Sequence, residues 1–483
     1  MRTPMKRTQS LTAGSISGSI LRFALPLFLG QLLQQFYNMA DAWVIGNFAN
    51  NNAFAAVSSG GNLTFMIIGF FNGIGIGGGV VISRYFGAKD NANTQKAIHN
   101  AFLFGLLASL IATAAGLLFI PKMLVLMRTP VEVLLYSLQY FRVYFGGVTT
   151  IVLYNVCMSI MQAQGDSLRP LYYLGVSSVT NVVLDLVFVA GFHWDVMGAA
   201  VATVIAQGLS VVLCLRRMRR EPEAHLRLDF RLLRWDRAMM SRIIRQGLPT
   251  GIQNSVIGLG NVVIQSNVNS FGAYAMSGLG AYSKVEGFAF LPVTAMSMTL
   301  PTFVSQNLGA GNVDRAKKGS LFGVLSAMVA AELIGVIMYI FIPQLLKLFI
   351  SDPEAISYGI IHARIDTLFY CMLALAHCAA GILRGCGKST VPMVVMLGCW
   401  CVLRSIYVTV ILQFIREFRM ISWAYPLTWT VSCILFVFYL FRLNWEKAAE
   451  KLKEIDEVAC ISSNARDIVT IAAFKRISCF RKV

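Results

Sequence analysis

Long apolar runs separated by short polar segments fill the chain from about residue 20 to residue 441. A membrane-crossing helix needs about 20 mostly apolar residues. Twelve runs meet that length, at residues 20–45, 55–82, 98–120, 134–162, 170–191, 196–215, 247–269, 276–303, 317–342, 355–383, 391–413 and 421–441. They are too long and too continuous for the alternating strands of an outer-membrane barrel, which run about ten residues each. The expected fold is therefore an all-α integral membrane protein of about twelve transmembrane helices, since helices satisfy their own backbone hydrogen bonds in lipid.

Composition agrees. Of 483 residues, 56% are apolar and 13% are charged, and the mean hydropathy is +0.65. A soluble domain carries about 25% charged residues, so a soluble globular chain is excluded. The net charge of +18 would suggest nucleic acid in a soluble protein. Here the cations sort by side. Segments on the N-terminal side of the spans, with the tail, hold 32 of the 41 Lys and Arg. The opposite loops hold five (Lys122, Arg128, Lys347, Arg416, Arg419), and four lie inside spans (Arg142, Lys284, Arg364, Arg404). This asymmetry predicts both termini in the cytoplasm of a multi-pass plasma-membrane protein. It makes the basic loops topology determinants that also contact lipid headgroups, and no nucleic-acid partner is expected. Thr3 to Ser19 is polar and offers no apolar core for a cleavable signal peptide. Seven of the ten Cys lie in spans, none in a CxxC pair, and read as reduced packing residues.

The two halves repeat. Phe119-Ile120-Pro121 recurs as Phe341-Ile342-Pro343, Ser83 and Gly87-Ala88 as Ser305 and Gly309-Ala310, and Arg142 as Arg364, all at an offset of 222. Leu25-Pro26 recurs as Leu248-Pro249 at 223. Pairs spread this widely at one offset indicate duplication. The expected division is an N-lobe at 1–215, a cytoplasmic linker at 216–246, a C-lobe at 247–441 and a cytoplasmic tail at 442–483. Six spans per repeat give both halves the same orientation, an arrangement known among transporters that work by alternating access.

Acids within a bilayer are expensive and mark function by default. Asp41 lies in span 1 and Asp185 in span 5, both in the half away from the termini. Asn181 stands four residues before Asp185, on the same helix face. Thr203 in span 6 lies at similar depth, and Asn155 sits in span 4. At the repeat offset these positions become Tyr407, Leu403, Tyr425 and His377, and Asp41 becomes Val263. The scaffold was duplicated but this polar set was not, which favours a function over a packing role. Two neighbouring carboxylates in low dielectric need a proton or cation between them. H⁺ is one candidate, and Na⁺ held by Asp41, Asn181, Asp185 and Thr203 is the other. Pro26 weakens span 1 and is the expected hinge. Gln34, Tyr37 and Asn38 are expected to line a polar substrate cavity, with Gln31 and Gln35 beside them. Glu332 sits mid-span without an evident partner, and Lys284/Glu286 and Arg364/Asp366 read as structural pairs. The Gly-rich stretch Asn72 to Gly79 reads as a site of close helix packing. Gly387-Lys388-Ser389 lacks the earlier glycine of a phosphate-binding loop, and the five His show no metal spacing. No enzyme chemistry or cofactor is expected.

The sequence resembles the multidrug and toxic compound extrusion (MATE) family over about residues 15–442. Ala24-Leu25-Pro26 with Tyr37-Asn38-Met39-Ala40-Asp41 carries the resemblance, as does Gln306-Asn307-Leu308-Gly309-Ala310-Gly311-Asn312. Ala163-Gln164-Gly165-Asp166 and Leu383-Arg384-Gly385 add to it. The resemblance implies two pseudo-symmetric six-helix lobes around a V-shaped cleft. It also implies a cation site at Asp41, Asn155, Asn181, Asp185 and Thr203, and export of organic cations and amphipathic drugs or metabolites against H⁺ or Na⁺. The protein is expected to act as a monomer among membrane lipids. In the NorM branch, acids of spans 7 and 10 add a second site. Span 7 here has no acid and the span-10 position reads as Leu373, so coupling is expected in the N-lobe. A flippase for lipid-linked saccharides and a channel are the competing readings. The tail, apolar from Ile468 to Phe474, is expected to lay a cytoplasmic helix on the membrane.

Overall fold

The computed structural model describes residues 10–49, 51–126 and 131–450, and these are helical with no strand among them. Arg128 and the tail beyond 450, with its expected surface helix, lie outside the described residues. The first half comprises α1 (Ile16–Phe48), α2 (Asn51–Gly87), α3 (Asn91–Leu126), α4 (Val131–Gly146), α5 (Val148–Ala163), α6 (Leu168–Asp185) and α7 (Asp195–Arg219). A π-helical turn, Leu186–Gly191, extends α6. The second half comprises α8 (Arg237–Asn269), α9 (Ala273–Ala289), α10 (Leu291–Gly309), α11 (Val313–Lys347), α12 (Pro353–Asp366) and α13 (Tyr370–Gly385). It ends with α14 (Thr390–Met396), a π-helical segment Leu397–Leu403, α15 (Arg404–Phe414) and α16 (Phe418–Phe441).

Nine helical stretches among the described residues are long and apolar enough to cross a membrane. Two bent pairs bring the number to 11: α4 with α5, bent by 46° at Gly147, and α9 with α10, bent by 47° at Phe290. The run expected at 247–269 forms the 33-residue α8 but falls short on hydropathy, because Gln253, Asn254, Asn261, Gln265 and Asn267 dilute it. Two of its polar side chains bond to α2. Asn254 Nδ2 donates to Gly69 O at 3.1 Å, and Ser255 Oγ donates to Met66 O at 2.8 Å.

The helices form two lobes, each with its own buried core. In lipid, helices associate by close packing rather than by burying apolar surface from water, so small residues decide where they touch. Gly73 and Gly77 of α2 face Gly251 and Gly247 of α8 so closely that a Cβ on either α2 glycine would overlap the α8 backbone. Gly79 packs on Ser159, whose hydroxyl donates to Gly75 O at 2.6 Å. The Gly-rich stretch is thus a packing surface. Further along α2, Gly87 meets the Gln306 carbonyl of α10, and Gly309 meets the Arg84 carbonyl.

This junction lies at the end of the bundle where the described residues begin and end. Leu11 is buried there, its N–H donating to Gln306 Oε1 at 2.9 Å and its carbonyl accepting from Asn307 Nδ2 at 3.3 Å. Gln306 Nε2 crosses to Ala163 O at 2.8 Å, and Ser305 Oγ donates to Val80 O at 2.7 Å. Arg315 gathers the N-terminal strap by donating to Ala13 O (2.9 Å) and Gly14 O (2.7 Å). From the other chain end, the Ala448 carbonyl accepts from Arg84 Nη2 at 2.5 Å. We refer to this as the terminal end and to the opposite one as the far end.

One helix belongs to both lobes. The first half of α1 buries Ile20, Phe23, Ala24 and Leu27 in the core built mainly by the second half of the chain. Its last turns bury Val44 and Ile45 against Val189 and Ala199 of the first half. The helix runs without a break through Pro26.

Candidate coupling site

The far-end half of the first lobe gathers four of the five expected site residues. Asp41 lies on α1, Asn181 and Asp185 end α6, and Thr203 lies two turns into α7. The carboxyl groups of Asp41 and Asp185 meet within hydrogen-bonding contact. Asp185 is fully buried and Asn181 is 1% exposed. With its amide oriented by its neighbours, Asn181 donates to Asp185 Oδ2 at 2.7 Å and accepts from Thr203 N at 3.1 Å. The Tyr37 hydroxyl lies 3.4 Å from Thr203 Oγ1. One oxygen of each acid, Asp41 Oδ1 and Asp185 Oδ1, is buried without a hydrogen-bond partner.

Elementary electrostatics limits what such a pair can be. Two touching carboxylates inside low-dielectric protein cannot both stay ionised unless positive charge stands between them. The surrounding groups are oxygens and one amide, and among the described residues no Lys or Arg acts on the pair. Carboxylate, hydroxyl and amide oxygens suit a proton or a hard monovalent cation. Among the described residues, no cluster of three or more His, Cys, Asp or Glu stands ready for a transition metal.

Asn155 bonds within its own helix. Its Nδ2 donates to Ile151 O at 2.8 Å, and its backbone packs on Gly75. Gln34 and Asn38 bond each other along α1 at 3.3 Å, on a partly exposed face, whereas Tyr37 turns into the acidic site. Gln31 and Gln35 face the second lobe, at Met298 and Gly287. The sequence reading missed Tyr140 and Tyr144 of α4, which stack 5.8 Å apart beside the acids. Their i,i+4 spacing was the available signal. The Tyr144 hydroxyl is buried and unpartnered.

The second lobe holds charges that the sequence reading misassigned. Asp366 pairs not with Arg364 but with His362, whose Nε2 lies 3.1 Å from Asp366 Oδ2 and whose Nδ1 lies 2.9 Å from Ser422 Oγ. Arg364 instead stacks over Tyr339. Glu286 faces Asp366, His362 and Arg404 rather than Lys284. Arg404 is 3% exposed, donates to Thr428 Oγ1 at 2.8 Å and lies over the Tyr425 ring. Leu373 is a buried core residue. Glu332 also has a partner: its Oε2 accepts the Cys371 N–H at 3.0 Å, capping the start of α13.

Comparison with known proteins agrees with this architecture. The family model described as MatE matches twice, at residues 26–187 and 249–410. The chain is 26% identical over 449 residues to a protein called probable multidrug resistance protein YoeA of Bacillus subtilis, covering 91% of this chain and 96% of that one. It is 22% identical to the multidrug export protein MepA of Staphylococcus haemolyticus, covering 92% and 97%, and 26% identical to an FAD transporter of Shewanella oneidensis, covering 73% and 79%. Among solved structures, an outward-facing multidrug resistance MATE family transporter superposes with a TM-score of 0.85 at 21% identity, covering 93% of this chain and all of that one. A MOP superfamily transporter from Pyrococcus furiosus superposes with a TM-score of 0.86 at 20% identity and the same coverage. The two matched segments, the all-helical two-lobed fold and the full-length relatives lead to one conclusion: this chain is a multi-pass membrane protein that belongs to the MATE family of multidrug efflux transporters.

Proposed function

We propose that this protein is a secondary-active antiporter of the plasma membrane, with both termini in the cytoplasm. It exports organic cations and other amphipathic drugs or metabolites in exchange for H⁺ or Na⁺. The observation that carries this reading is the meeting of Asp41 and Asp185 in a site that holds no basic partner. Asn181, Thr203 and Tyr37 supply the remaining contacts. Charge arriving at this site ties the far half of α1 to α6 and α7. Its loss frees α1 to move, and the two lobes then rock about the terminal-end junction. The relatives named for multidrug resistance and export support the substrate class.

The flippase reading is disfavoured by the placement of cations. Among the described residues within the spans, Arg142, Lys284 and Arg364 are exposed and the buried Arg404 is engaged by Thr428 and Tyr425, so the spans gather no cluster of cations for the phosphate of a carried lipid. The test is ethidium movement in proteoliposomes under an imposed pH gradient and then under an imposed Na⁺ gradient. Movement that follows one gradient establishes antiport and names the ion. Flux that ignores both gradients and runs down the ethidium gradient alone favours a channel and overturns the proposal.

A further inference from the structure

The linker between the lobes carries a surface that transport does not use. It is docked rather than tethered. Ala224 O accepts from Gln95 Nε2 at 3.1 Å, Asp229 N–H donates to His99 Nε2 at 3.0 Å, and Asp236 N–H donates to Asn100 Oδ1 at 3.0 Å. Leu226 and Leu228 are each 1% exposed against the first lobe. Its outer side is different. Phe230, Leu232 and Trp235 are 42%, 49% and 55% exposed, with the exposed Arg231 and Arg234 interleaved. Arg219 joins them, its guanidinium 5.3 Å from the Phe230 ring centre.

The linker's four acids each have a partner close by in sequence. Glu221 is 2.5 Å from Arg217, and Glu223 is 3.4 Å from His225. Asp229 accepts the Arg231 N–H, and Asp236 accepts the Met239 N–H, each at 2.9 Å. The outer face therefore presents cations alternating with apolar side chains. Trp235 stands two residues before α8 and Arg219 is the last residue of α7, so the face joins two long helices at the terminal end.

We propose that this face binds the anionic phospholipid headgroups of the membrane leaflet at the terminal end. Arg231, Arg234 and Arg219 meet phosphate, while Phe230, Leu232 and Trp235 enter the boundary of headgroups and acyl chains. Arg suits phosphate because its planar fork donates two parallel hydrogen bonds. Trp suits the interface because its ring is apolar and its N–H is a donor. A nucleic acid would match the charge but gives no account of three exposed apolar side chains on a docked surface. Bound lipid would anchor the joint where the chain passes from one lobe to the other.

The test uses the full-length protein in membranes of phosphatidylcholine mixed with phosphatidylglycerol. Lipid retained after mild detergent extraction is counted by native mass spectrometry. Wild type is expected to retain phosphatidylglycerol over phosphatidylcholine. R231Q and R234Q are each expected to weaken that preference about fivefold, and W235A to weaken it further. R416Q/R419Q, at the far end, is expected to leave it unchanged. Equal retention of both lipids by wild type overturns the proposal, as does an undiminished preference in the correctly inserted R231Q and R234Q variants. Displacement of the lipid by inorganic phosphate, or RNA binding that depends on the same arginines, also overturns it.

Discussion

Gly87 and Gly309 meet across the junction of the two lobes, and each is packed against the carbonyl of the residue three before the other, Gln306 and Arg84. The relationship is reciprocal and the offset within each pair is 222. A two-fold contact of this kind, in which i touches j and j touches i, is what two copies of one fold make.

The junction should tolerate no side chain. Gly309→Val is expected to cost about 1–3 kcal/mol by overpacking and to slow export, because the α2 backbone must move to admit it. Thermal unfolding in detergent and ethidium efflux from cells check both effects. Wild-type stability with wild-type efflux would sink the packing argument.

Asp185→Asn should insert and fold, since Asn keeps the shape and the contact with Asn181, yet it should reduce gradient-driven export to background. Asp41→Asn should do the same. The check is ion-coupled ethidium movement in proteoliposomes with protein amount matched by gel filtration. Coupled export at the wild-type rate would remove Asp185 from the mechanism.

The pair in the second lobe makes a stability prediction. His362→Ala leaves Asp366 buried beside Glu286 without its partner, and breaking one side of a buried pair costs about 3–5 kcal/mol. His362→Ala/Asp366→Asn should recover part of that loss. A double-mutant cycle by thermal unfolding measures the coupling, and strict additivity would mean that the pair contributes nothing.

Glu332 should matter for folding and not for transport. Glu332→Ala removes the cap on Cys371 N–H, a loss of about 1 kcal/mol, and should leave the efflux rate per folded molecule unchanged. An efflux defect with normal thermal stability would give Glu332 a role in transport.

The spans were legible because lipid leaves a chain little choice: apolar runs of this length must be helices. The bends at Gly147 and Phe290 do not interrupt the apolar pattern; their signal is local, in the Gly146-Gly147 pair and in Pro292 in the first turn of α10. The acidic site was legible as a set because duplication supplied a comparison within one chain, in which Asp41, Asn181, Asp185 and Thr203 lacked counterparts. Asn155 passed the same filter, but its amide turned to Ile151, a choice of rotamer that sequence does not encode. The second lobe was misread through neighbours in sequence. Arg364 and Asp366 are two residues apart and point to different faces of α12, whereas His362 and Asp366, four apart, share one.

The double membership of α1 has a mechanical consequence. A rod clamped at one end to one body and at the other end to a second body cannot stay straight while the bodies turn. Ile20 to Leu27 form one clamp, and Val44 and Ile45 form the other. Any rotation between the lobes must therefore be absorbed in the stretch from Phe28 to Trp43, or one clamp must let go. Asp41 sits inside that stretch, next to the second clamp, where a change in charge acts on the whole length of the lever.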